Sequence, residues 1–175
     1  MKTVGHLELK SFSAVVPGEL LVFGDGRREM GIALAKDEGS DCLVGVFESH
    51  GEAHPMMARQ SGDLECLSFG TDWLLEPVHG DQSFPGPHQI LRRAGLLALT
   101  RDGWLMNFAT SPIDRAGQFA FDWWNIGSNV LVSALPDRAV FFSEWHIWAS
   151  AADRHEYRGE PVFSFKANPT ARHGS

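Results

Sequence analysis

Apolar and polar side chains alternate with a period of two along most of this chain, and helical spacing with recognisable caps is nearly absent. Period two places successive side chains on opposite faces of a strand. The pattern therefore predicts an all-β protein of antiparallel meanders, forming a barrel or a sandwich. The clearest hairpin spans residues 95–109, GLLALTRDGWLMNFA, where Asp102 and Gly103 supply a tight turn between two apolar runs. A second is expected over residues 130–148, with Pro136 and Asp137 presetting the turn between 130–134 and 139–148.

The first part of the chain repeats the theme. PGELLVFGDG turns at Asp25 and Gly26 into REMGIALA, and KDEGS leads into DCLVGVFES, a three-strand meander. The stretch 17–35 is similar to the hairpins of small SH3-like barrels, a likeness of fold that implies nothing about a ligand. Further strands are expected at 4–12, 64–69, 118–124 and 162–165. Helical turns are expected at 55–59 and at 150–156, the latter with Ser150 and Asp153 at capping-box spacing. The stretches 49–63 and 76–89 read as long loops rich in Gly, Pro and His.

The two halves also resemble each other. Leu20–Leu21 matches Leu96–Leu97 at a spacing of 76, and Ser68 with Ser143 and Trp73 with Trp148 match at 75. One reading is an internal duplication that gives two β-subdomains, 1–92 and the Trp-rich 93–168, with a flexible tail at 169–175. The other is chance similarity between β hairpins within one domain, 1–168.

Composition narrows the function classes. A net charge of −7 and a sequence pI near 5.5 argue against nucleic acid, whose binding needs a basic footprint. The doublets Arg27–Arg28 and Arg92–Arg93 read as solvated loop charges. No apolar run reaches the roughly 18 residues of a membrane span, and the start lacks a signal-peptide pattern, so a soluble cytoplasmic protein is expected. Cys42 and Cys66, the only cysteines, read as buried free thiols.

The candidate chemistry centres on SEWHIWAS, residues 143–150. Alternation separates Phe141, Ser143, Trp145 and Ile147 from Phe142, Glu144, His146 and Trp148, with the first set as core. If the nearby FDWWN joins the second set, Asp122, Trp124, Glu144, His146 and Trp148 line one pocket. Apolar walls with a few polar groups suit a small ligand, a carbohydrate included. Asp122, Glu144 and His146 are then the candidate acid and base groups for hydrolysis. The plainer reading is a sheet face in water. His50, Glu52, His54, His79, Asp81 and His88 form a candidate metal set if their loops meet, with surface histidines as the alternative and no cofactor expected.

The leading expectation is a non-enzymatic β-domain that binds a protein partner or a second copy of itself through an aromatic-rich surface. The alternatives are a small-ligand barrel with hydrolytic activity and a metal-dependent enzyme using the loop histidines.

Overall fold

The computed structural model describes residues 7–24, 28–36, 40–47, 55–78, 94–110, 121–132, 139–156 and 160–166. The protein is nearly all β, as its alternation predicts. The first half contains β1 (Glu8–Ser11), a 3-10 turn at Phe12–Ala14, β2 (Leu20–Phe23), β3 (Glu29–Lys36), β4 (Cys42–Val46), β5 (Met56–Gln60), β6 (Glu65–Ser68) and β7 (Leu74–Pro77). The second contains β8 (Leu97–Thr100), β9 (Gly103–Ala109), β10 (Phe121–Asn125), β11 (Val130–Val132), β12 (Val140–Phe142), β13 (Glu144–Trp148), α1 (Ala151–Glu156) and β14 (Phe163–Lys166).

In the first half β2, β3, β4 and β5 form an antiparallel meander, and β6 returns to pair with β2, with β1 added beyond it. The second half repeats the plan: β8, β9, β10 and β11 form the meander, and β12 returns to β8. A parallel bridge between Met56 and Ala109 links the halves into one large sheet, whose main path ends at β1 and β11 among the described residues. A smaller sheet has β13 at its centre, flanked by β7 and β14.

The correspondence extends to single hydrogen bonds. Gly18 N–H donates to Ala33 O, and Ala33 N–H donates to Glu19 O; Gly95 N–H donates to Asn107 O, and Asn107 N–H donates to Leu96 O. Both glycines have positive φ, +90° and +84°, a conformation side chains resist. Trp73 Nε1–H donates to Gly18 O at 2.7 Å, and Trp145 Nε1–H donates to Gly95 O at 2.7 Å. By role Trp73 therefore matches Trp145, not Trp148, and Leu20 matches Leu97. β7 and β13 pair antiparallel about Leu75 and Ile147, so equivalent strands meet across a local twofold axis.

The packing shows why the halves stay together. Leu20, Ile32 and Phe47 share a core with Leu97, Phe108, Trp124, Trp145 and Ile147. Phe47 stacks on Phe163 at 5.1 Å, and Trp145 stacks on Phe165 at 5.1 Å. Each half keeps a smaller core of its own, Phe12, Leu21, Val44 and Cys66 in the first and Leu96, Ala98, Trp123 and Phe141 in the second.

Three expectations are corrected. Residues 130–148 do not form a hairpin, because β11 pairs with β10 while β12 closes on β8. The expected helical turn at 55–59 is instead taken up by strand β5, Met56–Gln60, since Val44 and its neighbours on β4 provide a ladder for it. Residues 141–149 are not one continuous strand: the chain bends at Ser143, and the shift in phase puts Phe142 in the shared core with Trp145 and Ile147. Ser150 does cap the helix, with Asp153 N–H donating to Ser150 Oγ at 3.1 Å, but the capping box is only half made, because the Asp153 carboxylate accepts from the Ser150 hydroxyl at 2.8 Å where the box would have it accept from the Ser150 backbone N–H.

Trp124 and Trp145 are both fully buried, but among the described residues the Trp124 indole N–H has no hydrogen-bond partner. Trp145→Phe removes ring volume and leaves the Gly95 carbonyl without its donor, whereas Trp124→Phe removes ring volume and an orphaned donor. Urea unfolding is expected to show Trp145→Phe as the more destabilising change by about 1–2 kcal/mol. Equal costs would mean that the bond to Gly95 contributes nothing.

Candidate functional site

The five residues of the expected pocket are divided by the fold. Trp124 lies in the shared core, against the face of β13 formed by Trp145 and Ile147. Glu144, His146 and Trp148 alternate with those residues and occupy the opposite face of the smaller sheet. Asp122 lies on β10 across from Phe108. The structure therefore brings Glu144, His146 and Trp148 together and sets Trp124 apart from them.

On that outer face each polar group has a cross-strand neighbour. Lys166 Nζ lies 2.8 Å from Glu144 Oε2, and His146 Nδ1 lies 2.9 Å from Ser164 Oγ. Trp148 Nε1–H donates to Glu76 Oε2 at 2.8 Å, and the Arg154 guanidinium on α1 donates to Glu76 Oε1. Glu76 was not singled out from sequence, yet it organises this face. The Arg154 guanidinium, aided by the Trp148 indole, holds its carboxyl below the ordinary carboxylate range. Both carboxylate oxygens are thus engaged in tying α1 and β13 to β7. A hydrolytic role for His146 and Ser164 would need a third group on the imidazole, and Glu76 is committed to Trp148 and Arg154.

The six candidate metal residues, His50, Glu52, His54, His79, Asp81 and His88, lie outside the described residues. Among the described residues there is no group of three or more His, Cys, Asp or Glu placed to hold a metal. Cys42 and Cys66 are free and buried. Burial raises both thiols, Cys66 to about 11, which keeps them protonated and poorly nucleophilic at neutral pH.

A different surface stands out on the large sheet, beside β1. Met30, Val22, Leu67 and Leu9 form one cross-strand row over β3, β2, β6 and β1, with exposures of 7%, 8%, 39% and 63%. The face that builds the shared core thus runs on beyond its cover. Leu7 and Leu64 are also exposed. β2 bonds to the β6 segment from Leu20 to Val22, through Phe69, Gly70, Ser68 and Leu67, and the ladder does not continue to Phe23. A groove of about 310 Å³ opens there, walled by Val22, Phe23, Leu9 and Leu67, with Arg28 and Glu65 also lining it. No tryptophan is among the exposed large apolar side chains of the described residues, so the exposed apolar surface is aliphatic.

Alternation in HLELKS was the available signal for this strand, but it was ambiguous about which face is buried. Lys10 is the residue that turns inward. Its ammonium lies 3.0 Å from Glu19 Oε1, and Ser68 Oγ–H donates to Glu19 Oε2 at 2.7 Å. The hydrogen bond to Glu19, then that to Glu8, raises the Lys10 ammonium above its ordinary value. With Lys10 turned in, Leu7 and Leu9 must turn out.

No protein family, curated protein or solved structure was found to match this chain. No helix among the described residues is long and apolar enough to cross a membrane.

Because the Glu76 carboxyl is depressed in the folded state, its contribution to stability is present above the unfolded carboxylate range and is lost as pH falls through the folded value. Thermal unfolding from pH 6 to pH 3 is expected to show a steeper loss for the native chain than for Glu76→Gln. The difference should stay below about 1 kcal/mol, since the pair is partly solvated. Parallel curves would remove Glu76 from the acid response.

Proposed function

We propose that this protein acts by binding, as a non-enzymatic β-domain that holds a protein partner along strand β1 and the aliphatic face beside it. The observation that carries this reading is the row Met30, Val22, Leu67 and Leu9, which leaves an apolar core face uncovered beside an edge strand. Exposed apolar surface next to unpaired backbone groups is a recognised template for adding a strand from another chain. The groove beside Val22 and Leu67 supplies a pocket for one side chain of the incoming strand. The aromatic residues serve a different purpose here, filling the shared core and the smaller sheet. Two protonated, buried thiols suit a reducing, cytoplasmic setting.

The test is the paired substitution Leu9→Lys with Leu67→Lys. Both side chains are exposed, so stability is expected to change by no more than about 0.5 kcal/mol per site. Native mass spectrometry of untagged protein from its own host should show an associated form for the native chain and a bare monomer for the variant. A native chain that is monomeric under every condition, or an association indifferent to both lysines, would sink the reading.

A further inference from the structure

We infer that the occupant of this edge is a second copy of the chain, paired antiparallel through β1 with Leu9 opposite its own counterpart. The inference rests on the binding reading above and names its partner. Its first support is the direction of the backbone groups. Phe12 N–H donates to Leu64 O, so alternation along the strand points Lys10 and Glu8 towards β6. Leu7, Leu9 and Ser11 therefore point their N–H and C=O groups away from β6. Among the described residues no strand pairs with them.

Charge then selects the register. Glu8 and Lys10 flank Leu9 symmetrically, so centring the pair on Leu9 sets each Glu8 opposite the partner copy's Lys10. Centring on either charged residue sets like charges opposite each other, and so does parallel in-register pairing. A shift by one residue sends the apolar side chains to the wrong face. The chosen register makes Leu9 a hydrogen-bonded pair and Leu7 with Ser11 the next pair on each side. It also joins the two aliphatic rows end to end, through Val22, Leu67 and Leu9 of one copy into the same residues of the other.

An inward-pointing charge on an edge strand normally discourages such pairing. Lys10 is different because Glu19 and Glu8 already neutralise it at 3.0 Å and 3.1 Å. Its remaining effect is to penalise every register except the complementary one.

The test uses the full chain with Leu9→Cys, Ser11→Cys and Glu8→Lys made separately. In the proposed register the Leu9 α-carbons lie about 5.5 Å apart, within disulfide range, while the Ser11 positions lie about four residues of strand from each other. With oxidised glutathione, Leu9→Cys is expected to form a covalent dimer as the main product, and Ser11→Cys to remain mostly uncrosslinked. Glu8→Lys, which opposes two lysines, should raise the dimer dissociation constant roughly tenfold or more. Ser11→Cys linking as readily as Leu9→Cys, or a dimer unmoved by Glu8→Lys, overturns this pairing. An association lost in Leu9→Lys with Leu67→Lys, but made with a different protein, overturns the second copy and leaves the binding reading standing.

Discussion

Two indole hydrogen bonds hold the two sheets in their relative places. Trp73 immediately precedes β7 and Trp145 is the second residue of β13, and each donates to the carbonyl of a glycine that opens a hairpin of the larger sheet, at 2.7 Å. A glycine with positive φ is needed at each point, because the carbonyl must face the indole before the chain enters β2 or β8. At Gly95 the approach is so close that an added Cβ would lie 2.4 Å from the Phe165 ring. The same constraint brings β7 against β13. Once the two tryptophans are fixed, Leu75 and Ile147 face each other, and the two halves enclose one core that neither could bury alone.

The all-β class was legible because alternation is strong wherever a strand has one buried face, as in β6 and β13, while β3 and β9, buried on both faces, read as apolar runs bounded by turn residues. The Asp102–Gly103 turn and the Ser150 helix cap were legible because their chemistry is local. Strand partnership was not. The Pro136–Asp137 signal suggested a hairpin, yet β11 and β12 choose partners on either side of β9, a choice made by core packing between residues distant in sequence. β7 was missed because LLEP is short and is followed by His, Gly and Asp, so only its pairing with β13 defines it. At the candidate site, alternation grouped Glu144, His146 and Trp148 correctly. It could not show that Trp124 faces the opposite side of β13, since that depends on how the large sheet is laid over the small one. The similarity of the halves was faint in sequence because the equivalent positions keep their backbone bonds while changing side chains.

The difference between the halves is informative where polarity changes. Glu19 and Ser68 of the first half occupy the hydrogen-bonding positions that Leu96 and Phe141 occupy in the second. One half buries a carboxylate held by a lysine and a serine hydroxyl; the other buries two apolar side chains in the same place. Replacing a buried ion pair by apolar residues is often neutral or stabilising, so the polar version is not explained by stability alone. What it adds is geometry: Lys10 reaches Glu19 only when β1 lies opposite Cys66 in the register observed.

The buried carboxylate therefore determines which surface the protein presents. If Lys10 were displaced by one position along β6, its ammonium would leave Glu19 without a counter-ion, and Leu7 and Leu9 would turn towards the small core. Removing the cation from a buried carboxylate costs about 3–5 kcal/mol, whereas Leu7 and Leu9, each only about half exposed, forfeit about 1–1.5 kcal/mol apiece, about 2–3 kcal/mol together. The larger penalty wins, and the leucines stay outside. A hydrophobic strand displayed to solvent is thus the consequence of an ion pair beneath it, which makes the binding face of β1 a property of the core and not an accident of the surface.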